Sequence, residues 1–345
     1  MTKLSQPRSG GLGTCAGATT KLATGASKQP GFWSRAWPLL IGLMVTISLV
    51  TASLFIGVYD LNSEGGREMF FITRIPRTVA LILSGASMAV VGLIMQLMTQ
   101  NRFVEPSTTG TIEWAGLGLI LTYIFVPQPS LTLRMLVAIA FSLVGTLIFF
   151  AFLQRVALKS SLVVPIVGLM LGAVVGAVST FVALQTDMLQ NLGIWFAGSF
   201  TGVTRGRYEL LWIVAIMTIV VYFIADRFTV AGLGQEIATS VGLNYRAVVL
   251  TGILIVAIVT GVVSVVVGSL PFLGLVVPNI VSMFRGDNLR SNLPWVVMVG
   301  IVVITLTDII GRTIIMPFEI PVSMILGVLG ATVFVYLIVK RGRRG

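Results

Sequence analysis

The sequence contains no histidine and only one cysteine, Cys15, and charged residues make up only 10% of its 345 positions. A histidine-ligated metal site, a histidine-based catalytic triad and an intrachain disulfide are therefore excluded. Hydrophobic residues make up 56% of the chain, whereas soluble domains carry about 25% charged residues. A chain with so few polar groups is expected to place its apolar surface in a lipid bilayer.

Apolar runs of membrane-spanning length recur along the chain. A spanning helix needs about 20 mainly apolar residues. Ten candidate spans cover residues 37–57, 79–98, 108–126, 131–153, 162–184, 209–230, 247–269, 271–285, 294–312 and 320–339. The eighth contains Pro278 and is expected to be broken or tilted, and the run from Leu192 to Phe200 predicts a partial surface helix. The predicted fold is all-α, a polytopic membrane protein of about ten transmembrane helices.

The two ends of the chain are polar. Residues 1–36 lack the regions of a secretory signal and predict a disordered cytoplasmic tail, 37–340 predict the transmembrane domain, and 341–345 predict a basic cytoplasmic tail. With ten spans both ends lie on one side, and the positive-inside rule places sixteen of 23 Lys and Arg residues in the cytoplasm. The net charge of +11 is thus attributed to topology rather than to nucleic-acid binding. Seven arginines fall outside: Arg67, Arg74, Arg77, Arg134, Arg205, Arg207 and Arg312.

Two outer segments concentrate arginine. Arg74 and Arg77 are three residues apart at the start of span two, so on a helix they share a face. They either reach toward lipid phosphates or form a docking point for an acidic partner. Arg312 ends span nine and Glu319 precedes span ten. A third arginine near the first two would form a patch able to bind carboxylates with defined geometry.

Three further segments interrupt the apolar pattern. Residues 231–246 are too polar to span, and they are either a plain loop or a short helix that pushes against another protein. Residues 268–286 carry prolines and glycines within an apolar run, which predicts an element that lines a pathway. Residues 96–110 join spans two and three on the inside, with Ser107 or Thr108 as candidate helix N-caps.

Five motifs occur in order between about residues 40 and 340. Their matching residues are Arg74, Pro76 and Arg77; Gln96, Asn101 and Pro106; Gly234, Ala238, Gly242 and Leu243; Phe272, Gly274, Leu275 and Pro278; and Asp308, Arg312, Glu319 and Pro321. Together they resemble the FecCD family, the permease subunits of bacterial ABC importers for iron-siderophores, haem and vitamin B12. Many members have histidine where this chain has Asn279. The segment PNIVSMF, residues 278–284, together with NRFVEPSTTG, residues 101–110, resembles the branch for catecholate-type siderophores such as petrobactin, vibriobactin or anguibactin.

The resemblance implies a vitamin-B12-importer-like fold in the bacterial inner membrane. It implies a homodimer or a heterodimer with a related permease, two cytoplasmic ATPase subunits and an extracytoplasmic substrate-binding protein. It implies no cofactor or metal bound by this chain, and ATP and Mg on the ATPase. The implied docking residues are Arg74, Arg77 and Arg312; the implied ATPase-coupling residues are Gly234, Gln235, Glu236, Ala238, Gly242 and Leu243; the pathway or gating candidates are Gln96, Asn101, Pro278 and Asn279.

The leading functional prediction is therefore an ATP-driven permease for ferric siderophore, working by alternating access. The sequence has no G-x-x-x-x-G-K-[ST] phosphate loop, so a separate ATPase is expected, and the chain itself is not expected to be an enzyme. Import of haem or a corrinoid is the first alternative. An ion-coupled secondary transporter is the second, with Glu113 and Asp308 as its candidate intramembrane acids, although either acid can simply hydrogen-bond within the bundle.

Overall fold

The computed structural model describes residues 32–57, 66–155, 163–286 and 289–342, and within these ranges the chain is helical, with no strand. Residues up to Pro38 form one unit and those from Leu39 another; of the first, only the start of α1 is described. The α-helices are α1 Phe32–Phe55, α2 Gly66–Met69, α3 Ile75–Met98, α4 Thr111–Phe125, α5 Leu131–Arg155, α6 Val163–Gln185, α7 Leu189–Phe196, α8 Trp212–Ala231, α9 Gln235–Ser240, α10 Tyr245–Val266, α11 Leu273–Arg285, α12 Leu289–Thr313 and α13 Val322–Gly342.

Each of the ten predicted spans overlaps one of the longer helices. Within the described ranges, seven helices are long and apolar enough to cross a membrane, and α4, α11 and α13 supply shorter apolar stretches. The predicted partial helix at Leu192 is α7, and the polar segment 231–246 contains α9. The predicted all-α polytopic fold is confirmed. Most of the predicted N-terminal tail, residues 1–31, and residues 343–345 lie outside the described residues, so both tails stay predictions.

A π-helical turn joins α2 to α3. It covers Phe70–Arg74, and the Ile75 N–H bonds the Phe70 carbonyl, five residues back. Pro76 follows in the first turn of α3 and has no N–H to offer to the preceding turn. The carbonyl four residues before Pro76, that of Ile72, accepts the Arg205 N–H instead, at 3.1 Å. Helical structure therefore begins at Gly66, well before the predicted span at residue 79.

Helices α3 and α10 lie at the centre of the bundle. About three quarters of the residues in an apolar 18-residue stretch of each are buried, 78% in the helical segment containing α3 and 72% in α10, against 22% in the segment containing α8. Glycine lets α3 meet its neighbours closely, because a Cβ on Gly92 would lie 2.1 Å from the Gly274 carbonyl oxygen of α11. A Cβ on Gly85 would likewise lie 2.9 Å from the Gly300 carbonyl oxygen of α12. Small residues at these crossings provide close backbone packing in lipid.

The connection before α4 differs from the sequence prediction. The N-cap of α4 is Gly110, in the left-handed conformation at φ 80°, and it makes no side-chain capping bond. Ser107 and Thr108, the predicted N-caps, instead bond to Glu105. The N-cap prediction is wrong because α4 begins at Thr111, later than the predicted span at residue 108. The residues before Thr111 form a turn around Glu105 instead. Gly168 of α6 packs on this turn, since a Cβ there would lie 2.2 Å from the Thr108 carbonyl oxygen.

Candidate functional site

The first candidate site is a cluster of ion pairs at one end of the bundle, called here the arginine end. Arg77 of α3 donates to both carboxylates of the cluster: Nη2 to Asp308 Oδ1 at 2.7 Å, and Nη1 and Nη2 to Glu319 at 3.0 and 2.9 Å. Arg312 Nη2 lies 2.7 Å from the second Asp308 oxygen. Asp308 is fully buried and sits between the two guanidiniums. We call these four residues the ion network.

The ion network also holds α1 in place. Arg312 Nη1 donates to the Ile56 carbonyl at 2.7 Å, and Nη2 donates to Ser53 Oγ at 2.6 Å. Arg74, in the π-helical turn, donates to the Leu54 carbonyl at 3.2 Å. These carbonyls belong to the last turn of α1 and the residue after it, where helix carbonyls have no partner within the helix. The arginines therefore close the C-terminal end of α1.

Glu319 connects the ion network to the segment after α7. Its Oε2 accepts a hydrogen bond from Thr201 Oγ1 at 2.6 Å as well as the bond from Arg77. Burial acts to raise the pKa of Glu319, but the hydrogen bonds from Arg77 and Thr201 outweigh it, so the pKa is lowered. Glu319 is therefore charged at neutral pH, and its side chain is 28% exposed. It is the carboxylate of the cluster that solvent or a partner can reach.

The three predicted docking arginines thus lie at one end, and two of them share Asp308. Arg77 and Arg312 are 14% and 7% exposed, and internal carboxylates already bind them. The hydrogen-bonding interpretation of Asp308 is confirmed, whereas the sequence assigned no partner to Glu319. The predicted role in docking a binding protein stays a prediction. The two guanidiniums do not project freely from the helix ends.

The second candidate site joins α3 to α11 near the opposite end, which we call the α9 end. Pro278 has no N–H for the carbonyl four residues earlier, that of Gly274. Gln96 of α3 supplies the missing bond, because its Nε2 donates to the Gly274 carbonyl at 3.2 Å. Asn279 Nδ2 donates to the carbonyls of Leu275 and Arg102, at 2.7 and 2.8 Å. These predicted gating residues therefore satisfy the backbone of a proline-containing helix.

Sequence reasoning missed Glu105, which completes this junction. It is fully buried in the connection between α3 and α4. Its Oε1 accepts hydrogen bonds from the Phe272 N–H, at 2.6 Å, and from the Ser107 hydroxyl. Burial raises the pKa of Glu105 to about 7, although the bonds from Ser107 and the Phe272 N–H act to lower it. The available sequence signal was the position of Glu105 directly before Pro106, within the motif formed by Gln96, Asn101 and Pro106.

A cavity of about 300 Å³ opens beside this junction. Gln96, Asn101 and Pro278 line it, together with residues of α8 and α12. Three of the four predicted pathway candidates therefore border one space, and Asn279 does not line it. The arrangement is an opening between packed helices whose wall is mostly apolar, with polar groups from Gln96 and Asn101.

The α9 segment contains the predicted coupling residues. Gly234 and Gly242 have φ angles of 106° and 81°, which side chains rarely adopt, so they allow the sharp turns on either side of α9. Ala238 is fully buried and anchors the helix, and the Leu243 N–H bonds the Ala238 carbonyl at 3.0 Å. Gln235 and Glu236 are exposed. The segment is a short helix held between two glycine turns, with its outer face open.

The fold and the two polar sites define a polytopic helical membrane protein organised for transport. The chain belongs to the FecCD transport family, whose pattern matches residues 18–340.

Several relatives are similar over most of the chain. The petrobactin import system permease protein FatD of Bacillus anthracis is 57% identical, covering 91% of this chain and 95% of that protein. The petrobactin permease YclN of Bacillus subtilis is 41% identical, covering 86% and 96%. The ferric-anguibactin permease FatD of Vibrio anguillarum is 34% identical, covering 86% and 97%.

The fold is shared with a solved transporter. A structure described as an inward-facing conformation of a metal-chelate type ABC transporter aligns with a TM-score of 0.76 at 22% identity, covering 88% of this chain and 99% of that one. At this identity the likeness concerns the fold alone.

Replacing Asp308 with asparagine should strongly destabilise the protein. The change leaves the buried guanidiniums of Arg77 and Arg312 close together without the charge between them, and breaking a buried ion pair costs about 3–5 kcal/mol. Asp226→Asn is the matched control, because the Asp226–Arg290 pair is about 60% exposed and such pairs contribute about 0–1 kcal/mol. Unfolding of both variants in detergent measures the difference. Equal losses would contradict a structural role for the ion network.

Glu105→Gln should remove a pH dependence of stability. The pKa of Glu105 is raised from 4.5 to about 7, so between these values the folded protein holds a proton that the unfolded chain has released. Stability is then greatest below pH 4.5 and falls as pH rises to about 7, by up to about 1.4 kcal/mol per unit. Melting temperatures across this range test the slope. Glu236→Gln, an exposed control, should keep the slope. A slope in Glu105→Gln that equals that of the wild type would exclude Glu105 as a contributor.

Proposed function

We propose that this chain is the transmembrane permease subunit of an ATP-driven importer for ferric siderophores of the catecholate type. The similarity to the petrobactin permease of Bacillus anthracis, 57% identity over 91% of the chain, carries the proposal. Relatives named for vitamin B12 import are more distant, such as BtuC of Salmonella arizonae at 30% identity. Siderophore import is therefore preferred over haem or corrinoid import.

The mechanism is alternating access driven from the α9 end. A cytoplasmic ATPase binds α9, whose exposed face carries Gln235 and Glu236. The connection before α9 contacts the end of α3, because Gln100 Nε2 donates to the Gly232 carbonyl at 3.4 Å. From there Gln96 bonds α11 through the Gly274 carbonyl. Displacement of α9 is thus passed on to the helices that border the cavity beside Gln96.

The arginine end faces outward and receives the substrate-binding protein, with both termini in the cytoplasm of a bacterial cell and the protein in the inner membrane. The permease works as a homodimer or with a related permease, together with two ATPase subunits. ATP and Mg bind those subunits, this chain binds no cofactor, and catalysis does not occur in it. Asp308 is an unsuitable ion-coupling acid because Arg77 and Arg312 hold it.

Docking uses the accessible members of the arginine cluster. A carboxylate of the binding protein joins the contacts that Arg74 already makes, including its bond to the Leu54 carbonyl. At Arg77 it must join or displace Glu319. Charge reversal of Arg77 is a poor test, since it would place a third carboxylate beside Asp308 and Glu319 and disturb folding. Arg74, at the edge of the ion network, is the better position to change.

Arg74→Glu should weaken docking of the binding protein about tenfold, since it replaces an attractive charge pair with a repulsive one. Binding of the companion protein to the complete transporter in nanodiscs at low salt measures the effect. Arg227→Glu, an exposed arginine near the α9 end of α8, should bind as the wild type does. An unchanged affinity in Arg74→Glu, with normal assembly, would remove Arg74 from the docking site.

The complete complex in proteoliposomes should import ferric catecholate siderophore only with ATP on the ATPase side. A proton gradient without ATP should give no uptake, because Arg77 and Arg312 already hold Asp308, one of the two candidate intramembrane acids. Omitting the ATPase is the control. Gradient-driven uptake in its absence would favour a secondary transporter and reject the proposal.

A further inference from the structure

A second cavity, of about 440 Å³, opens at the arginine end, and no residue of the ion network lines it. It lies where the ends of α4, α5 and α10 meet α7 and the segment that follows α7. Its lining includes Tyr123, Arg134, Trp195, Ser199, Thr201 and Arg207. Neither the family motifs nor the transport proposal uses its arginines or aromatic residues.

The charged side chains in the described lining of this cavity are all positive. Two arginines line it, Arg134 from α5 and Arg207 from the segment before α8, and its lining contains no aspartate or glutamate. Arg134 Nη1 donates to the Tyr123 hydroxyl at 2.7 Å, while its Nε is buried with no hydrogen-bond partner in the described part of the chain. A buried donor left unpaired is costly, so the site favours an incoming acceptor, above all an anionic one.

The wall beside Arg134 is aromatic. The Arg134 guanidinium carbon lies 5.7 Å from the centre of the Tyr123 ring. Tyr123 in turn stacks on Trp195, with ring centres 4.8 Å apart and an angle of 22° between the rings. Because the Tyr123 oxygen accepts from Arg134, its own hydrogen is available to donate. The cavity thus combines planar apolar surface with donors for oxygen anions.

We propose that this cavity binds an anionic aryl arm of the cargo, a catecholate or aryl carboxylate of the ferric complex, as it enters from the outer side. The inference rests on the proposed function, because that function supplies a cargo of this chemistry. The volume is near the lower end of the about 300–1,000 Å³ typical of small-molecule pockets, which suits one arm of the complex. A lipid phosphate shares the oxyanion chemistry but gains nothing from the stacked rings.

Binding of iron(III)-dihydroxybenzoate to the complete transporter in phosphatidylcholine nanodiscs tests the site. Arg134→Gln and Arg207→Gln should each weaken binding about tenfold, the loss of one charge-assisted contact. Arg134→Lys should recover part of the affinity, since it restores the charge but not the Nε donor. Arg205→Gln is the matched control, because Arg205 is exposed two residues from Arg207 and does not line the cavity. It should bind as the wild type does.

Two results would overturn the inference. One is unchanged affinity in both Arg134→Gln and Arg207→Gln. The other is loss of wild-type binding when phosphatidylglycerol is added to the nanodiscs, which would identify lipid phosphate as the occupant. If Arg134→Gln fails to assemble, Arg207→Gln still decides, because Arg207 is exposed. ATP-driven uptake by the wild type separates the two proposals: uptake with unaffected variants rejects only the cavity, whereas absence of uptake rejects the proposed function.

Discussion

The structure depends on one constraint, that polar backbone groups buried in the bundle must find partners inside the protein. The junction of α3 and α11 meets this constraint at its most difficult point, where Pro278 frees a carbonyl and α11 begins beside Glu105. Gln96 bonds the freed carbonyl, and Glu105 accepts the Phe272 N–H. The close approach of Gly92 to Gly274 is what allows Gln96 to reach. A larger residue at either glycine would separate the helices and leave these groups unpaired.

The same constraint explains why polar side chains lie within the apolar bundle. Gln96, Glu105 and Asn279 at the α3–α11 junction each bond a backbone group of another segment, so they fix the helix positions. The junction also lies on the route from α9, through Gln100 and the end of α3. Side chains of one helix bond backbone groups of another at this junction. A displacement of one helix therefore disturbs the hydrogen bonds of its neighbour.

The sequence predicted the helices well, but it did not predict which side chains contact one another. The ten spans follow from apolar length, and α9 follows from a polar stretch between glycines, because both signals are local. The ion network joins Arg77 to Asp308 and Glu319, 231 and 242 residues away. No local pattern contains that information, since it depends on how helices pack. Gly110 and Glu105 were missed for a related reason, because the turn that they form is stabilised by contacts with α6 and α11.

The two groups of arginines at the arginine end are in different physical states, and one segment connects them. Arg77 and Arg312 pair with carboxylates, whereas Arg134 and Arg207 line an open cavity whose described lining contains no carboxylate. Thr201 belongs to both places, because it lines the cavity and donates to Glu319 at 2.6 Å. A shift of Thr201 would therefore weaken one bond to Glu319, which also accepts from Arg77. The ion network and the cavity are thus physically connected through a single hydroxyl group.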